Sequence, residues 1–193
     1  MNEASIFVSK LKQFVFDKVK LLNKGFSDEY SNSLIEAFDL SETHKQPIRS
    51  DIILNLIEGY RCDVMGLISS ISFNLEIGKT EKYFLIGWVW GDDLLAIDKS
   101  NNEVVMLAYW DYDLVTFYCA ANSKNFLEAF LIHGISPLDQ HFEHEEQQWT
   151  YNINKANEAA KIAGGEKYIK FWMALYPTES GTSDEPNKES FLN

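Results

Sequence analysis

Proline is scarce in this chain, with 4 residues in 193, and cysteine is scarcer, with 2. So little proline excludes a proline-rich linker for the chain as a whole. Cys62 and Cys119 lie far apart in apolar surroundings. They fit neither a metal-ligand spacing nor a disulfide framework, so buried, reduced thiols are expected. No apolar run reaches the ~18 residues of a membrane-spanning helix. The longest, such as 83–90, are strand-sized. Lys10, Lys12, Asp17, Lys18 and Lys20 interrupt the first apolar segment, which leaves no signal-peptide pattern. A cytoplasmic setting is therefore expected. Basic residues are also in deficit: 17 Lys and Arg face 29 Asp and Glu, a net charge of −12. That balance excludes a nucleic-acid binder working by phosphate neutralisation. It equally disfavours docking on an anionic membrane.

What the chain does have is material for a core. Hydrophobic residues make up 46%, with 13 Phe, 9 Tyr and 5 Trp. The length suits one domain over 1–176, with 177–193 reading as a disordered tail of Thr, Glu, Ser, Gly, Asp, Pro, Asn and Lys. The acidity is uneven. Residues 1–50 balance 7 basic against 7 acidic, whereas 51–135 carry 5 against 12. Such a field serves solubility and also steers a basic partner.

Periodicity divides the chain. Residues 4–23 read as one amphipathic helix, with Ile6, Phe7, Leu11, Phe14, Val15, Val19 and Leu22 at helical spacing and Gly25 as its stop. Ser27 followed by Asp28 and Glu29 predicts a capped helix through Leu34 and Phe38. Ser50 and Asp51 predict another through Leu56, closed by Gly59. Strand character follows: 67–77 by alternation, 83–90 as a nearly continuous apolar run, 94–98, and 103–110. The last two form an antiparallel hairpin across Lys99, Ser100, Asn101 and Asn102. Residues 115–120 suit a fifth strand or a helix start. Residues 123–131 predict a helix closed by Gly134 and Pro137, and 154–164 another that ends at Gly164-Gly165. Tyr168, Phe171, Trp172 and Leu175 can pack back on the core. The expected class is α+β: a central, mostly antiparallel sheet of about 4–6 strands flanked by helices.

Catalytic signatures are missing. There is neither a G-x-S-x-G elbow nor a phosphate-binding G-x-x-x-x-G-K-[ST] loop. His141 and His144, with Glu143, Glu145 and Glu146, are the one cluster with metal-binding composition. Their spacing is not H-E-x-x-H, and a solvated acidic stretch is the better reading. No catalytic residue, metal or cofactor is assigned.

Two segments mix aromatic and acidic side chains at strand ends. One holds Trp88, Trp90, Asp92 and Asp93; the other holds Trp110, Asp111, Tyr112 and Asp113. Trp is enriched among binding hot spots, so these eight are the candidate protein-binding residues. Alternation along a strand also allows one of the first two Trp residues to be core. Gly87 and Gly91 suit a tight bend or a bulge between strands.

Ile86-Gly87, Gly91-Asp92, the Leu95-Ala-Ile-Asp98 strand end and the Phe-Leu-Glu-Ala-Phe-Leu run of 126–131 together resemble the SUKH superfamily. That group includes bacterial toxin-immunity proteins and a fungal regulator of cell-wall glucan synthesis. The likeness spans about 27–131, just over half the chain. It differs in placing Trp88, Val89 and Trp90 before a single Gly91. The resemblance implies a non-enzymatic intracellular immunity protein that occludes a toxin domain, such as a nuclease. Its partner would be a protein, with no nucleic acid and no membrane involved. A regulatory scaffold of the cell-wall type is the first alternative. A metal-dependent enzyme using His141 and His144 is the second.

Overall fold

The computed structural model describes residues 3–14, 18–23, 25–43, 50–67, 69–90, 92–140 and 145–175. The 177–193 segment, His44, Gly91, His141 and His144 lie outside these. Five strands form one antiparallel sheet in chain order. They are β1 (Ile71–Lys79), β2 (Tyr83–Val89), β3 (Asp93–Asp98), β4 (Val104–Ala108) and β5 (Asp111–Ala120). Among the described residues seven α-helices accompany them: α1 (Glu3–Leu11), α2 (Lys18–Asn23), α3 (Asp28–Phe38), α4 (Ile52–Gly59), α5 (Ser123–Gln140), α6 (Glu145–Ala163) and α7 (Ile169–Ala174). Short 3₁₀ turns cover Cys62–Leu67 and Glu166–Tyr168. The α+β expectation holds, with five strands.

Local capping explains two of the helices. The Ser27 side chain accepts from the Tyr30 N–H at 3.1 Å and starts α3. Asp51 Oδ1 accepts from the Ile53 and Leu54 N–H groups at 2.9 and 3.1 Å and starts α4. Each satisfies donors that a helix start leaves free. The N-terminal segment departs from the single helix expected. It breaks into α1 and α2 around the turn at Lys12 and Gln13. The buried stripe of α1 is Ala4, Phe7, Val8 and Leu11, while Ile6, Val19 and Leu22 are exposed. Phe14 leaves the helical register to meet Phe38 edge-on, with ring centroids 6.2 Å apart. Gly25, at φ +89°, closes α2 as expected.

A second departure is α5, which runs through Gly134 and Pro137 instead of stopping there. Proline removes one intrahelical bond, and packing of α5 along α6 sustains the helix regardless. The 115–120 segment is strand, as the second half of the longer β5. β1 starts at Ile71 rather than 67, because Leu67 still belongs to a 3₁₀ turn.

The helices cover one face of the sheet. The main core joins Phe7, Leu34, Leu56 and Phe126 from helices to Ile71, Phe73, Ile86, Leu95 and Met106 from strands. The C-terminal elements close it. Trp172 is fully buried and donates Nε1–H to the Cys119 carbonyl at 3.0 Å. The Ala121 N–H donates to the Ala163 carbonyl at 2.8 Å. Lys167 pairs with Glu103, and the Tyr168 hydroxyl donates to the same carboxylate at 2.8 Å. Gly164, at φ +132°, fits this corner because a Cβ there would lie 2.7 Å from the Tyr168 ring. Both cysteines are free and buried. Burial pushes the Cys62 thiol up to about 12 and raises Cys119 as well. Neither is poised as a nucleophile.

Candidate functional site: the outer face of the sheet

The opposite face carries its own small core. Tyr83, Leu94, Ala96, Val105 and Leu107 are buried together, with Leu85 and Val115 packed against them. All seven are strand residues; among the described residues no helical side chain joins this cluster. Something else must therefore keep water from Tyr83 and Leu94. Register shows what does.

Asp111 pairs with Ala108, yet the next pair along is Val115 with Leu107. Residues 112–114 consequently have no opposite number on β4 and bow out as an extended bulge. Lys82 Nζ meets Asp113 Oδ1 at 2.7 Å. Lys82 belongs to the β1–β2 turn, which sits at the other end of the sheet from the β4–β5 turn. The bowed segment thus doubles back across the outer face, where Asp113 meets the exposed Lys82 side chain. Between this strap and the β1–β2 turn lies an open cleft of about 760 Å³. Glu81, Lys82, Tyr109, Trp110, Tyr112 and Asp113 are among its walls. Burial raises the Tyr83 hydroxyl first, helped by the charge of Asp98 and, more weakly, of Asp113. The Asp113 carboxylate in turn holds the Lys82 ammonium above its ordinary range.

Seven of the eight candidate residues fall into three groups. Trp88 pairs with Leu94, which puts its ring on the outer face. It is 40% exposed. Trp110, Asp111, Tyr112 and Asp113 form the strap; Trp110 is 67% exposed and stands at 90° to the Tyr109 ring, with centroids 4.9 Å apart. The Asp113 N–H donates to Asp111 Oδ1 at 2.9 Å, which shapes the start of the bow. Asp92 and Asp93 lie at the β2–β3 turn, at the same end of the sheet as Trp110. Asp92 is exposed and Asp93 half-buried.

Trp90 stands apart. Its φ of +55° turns it out of the strand, and its ring packs edge-on to Phe117, 6.3 Å away. Phe117 packs against the main core, so Trp90 faces the helix side. Neither Trp88 nor Trp90 is a core residue, contrary to the strand-alternation alternative. Strict alternation would put both rings on the outer face, where Trp88 is only partly covered, and the left-handed turn at Trp90 carries its ring to the helix side instead. Gly87 does sit at a bulge, between Leu85 and Gly87 in the pairing with β3. A Cβ there would lie 2.1 Å from the Ser72 carbonyl oxygen, so β1 approaches only because the residue is glycine.

Sequence reasoning missed Tyr109, Glu81 and Lys82. They come from two turns separated by most of the sheet, and only the bulged register brings them together. Tyr118, on the same face by its pairing with Val105, was also missed. Lys167 stacks over its ring at 4.0 Å. Among the described residues, no three His, Cys, Asp or Glu side chains converge as a metal site, and no helix is long and apolar enough to cross a membrane.

Trp88, Tyr109, Trp110, Tyr112 and Tyr118 are all partly exposed on or beside the outer face, with Asp92, Asp111 and Asp113 interspersed. Singly exposed aromatics are ordinary, but five along one face form a patch of the kind that marks a protein interface. Comparison with protein-family models, with curated proteins and with solved structures finds no match.

Proposed function

We propose that this chain is a non-enzymatic immunity protein of the SUKH kind, which binds a toxin domain inside the cell and occludes it. One observation carries the reading: an acidic, aromatic-rich sheet face that no helical side chain among the described residues joins in its buried cluster, opposite a packed helical side. Exposed Trp and Tyr rings supply the anchors that slow dissociation, and the acids speed encounter with a basic surface. The net charge of −12 favours the same class of partner.

The test is affinity capture from the source lysate and secreted fraction across a salt series, followed by variants. A single dominant partner with a toxic domain, lost with Trp88→Ala or Trp110→Ala at unchanged thermal stability, is the expected result. Each substitution should weaken the complex by about 2 kcal/mol, as hot-spot truncations do. Trp90→Ala should leave affinity nearly unchanged, because that ring faces the helix side. Capture of envelope or housekeeping enzymes alone, or indifference to both outer-face variants, would replace this reading with the scaffold.

A further inference from the structure

We infer that the cleft under the strap is a seat for one arginine side chain of the protein partner, and that Lys82 occupies its carboxylate until the partner arrives. The inference rests on the docking role just proposed and names the chemistry that this face would take.

The walls supply what a guanidinium needs. Tyr109 and Trp110 stand perpendicular, giving one ring face and one ring edge within a single turn. Tyr112 and Asp113 come from the bow, and Glu81 from the opposite wall. A guanidinium stacks on an aromatic face and offers planar paired donors to a carboxylate. Asp113 is the acceptor within reach, because it already holds an ammonium at 2.7 Å. That ammonium is on a flexible, exposed side chain, so its bond is of the exchangeable surface kind. The molecule holds another cation by the same means: Lys167 sits between the Glu103 carboxylate and the Tyr118 ring.

Charge selects the occupant. A second copy of this chain would bring another −12 to an acidic face, and like charges at close quarters repel. An apolar segment would desolvate the Asp113–Lys82 pair and the acidic rim at Glu81. A basic side chain takes over the Asp113 carboxylate and lies against the rings.

The probe is the blocked peptide acetyl-Gly-Arg-Gly-amide, with its citrulline counterpart as the neutral isostere. Binding is followed by amide and indole NMR shifts of the full chain. The arginine peptide should move Trp110, Tyr112 and Asp113 signals in one saturable process that the citrulline peptide does not produce. Lys82→Met removes the competitor and should tighten binding roughly threefold. Lys124→Met makes the same charge change on the helix side, where Lys124 faces Glu3, and should leave affinity within error. Asp113→Asn should abolish the saturable shift. Equal shifts with citrulline, shifts spread evenly over all acidic residues, or equal effects of the two lysine variants would each overturn the inference. The two proposals fail separately. A partner complex that needs Trp88 and Trp110 but ignores Lys82→Met and Asp113→Asn overturns the arginine seat alone. A peptide that saturates the cleft while no captured partner depends on those tryptophans overturns the docking role alone.

Discussion

At the scale of single residues, two features carry measurable consequences. Gly87 is where β1 passes closest to β2, with the Ser72 carbonyl where a side chain would stand. Gly87→Ala should cost about 3 kcal/mol, because backbone rather than a movable side chain must yield. A urea midpoint unchanged from the parent would contradict that. The second feature is the set of buried acids with high pKa. Cys62 rises from 9.0 to about 12 through burial. Tyr168 rises from 10.0 to about 12 through burial and its hydrogen bond to Glu103. Both keep their protons in the folded state at pH values where the unfolded chain has lost them. The stability they contribute is therefore complete below about pH 9 and is lost as pH climbs toward 12. Unfolding free energy should fall along an alkaline limb starting near pH 9, and a Cys62→Ala, Tyr168→Phe double variant should show a shallower limb. Equal slopes for parent and variant would remove these groups as its cause.

At the scale of elements, the sequence is most legible where structure is local. Ser27 and Asp51 cap their own helices within three residues, so α3 and α4 follow from the text of the chain. Asp51→Ala should destabilise by about 1 kcal/mol, and Asp51→Asn by much less, in chemical denaturation. Equal losses would mean that the carboxylate charge rather than the cap matters. Legibility falls where long-range packing decides. The helical spacing from Phe7 to Leu22 concealed the break near Lys12, since Phe14 answers to Phe38 and not to its own helix. Pro137 signalled a stop that packing against α6 overrides. The alternation of β1 held for Ile71 and Phe73 but failed at Leu75, which is exposed, because the register with β2 slips between Phe73 and Gly78. The strap itself left only an aromatic and acidic composition in the sequence. Its bow depends on pairing with β4, and pairing offsets are not written in residue types.

At the scale of the molecule, one face of the sheet packs against the helices and the other carries a small strand-only cluster, the face that the proposed docking role would use. Trp88 and the Trp110–Asp113 segment lie on that outer face and Asp92 at its end, whereas Asp93 pairs with Val89 of the main core, so the aromatic and acidic segments themselves were readable. Their division into a strap, a ring on the face and a turn was not, and neither was the separation of Trp90. The acidic field predicts a kinetic signature. Association with the captured partner should slow steeply between low and high ionic strength, while dissociation, governed by buried rings, changes little. A salt-insensitive association rate, measured by stopped flow, would show that the charge is there for solubility alone.

The order of the strands has a consequence for synthesis. Each strand pairs with the one made just before it, so the sheet can assemble as the chain leaves the ribosome. Trp172, by contrast, follows by 53 residues the carbonyl to which it donates. While α6 and α7 are being translated, β5 waits at the sheet's edge without the Phe171 and Trp172 rings that later pack on it. An edge strand with uncovered apolar side chains recruits other chains. The nascent chain at that stage is the form most in need of a chaperone, and slow codons placed between residues 145 and 163 should lower soluble yield more than slow codons within the sheet.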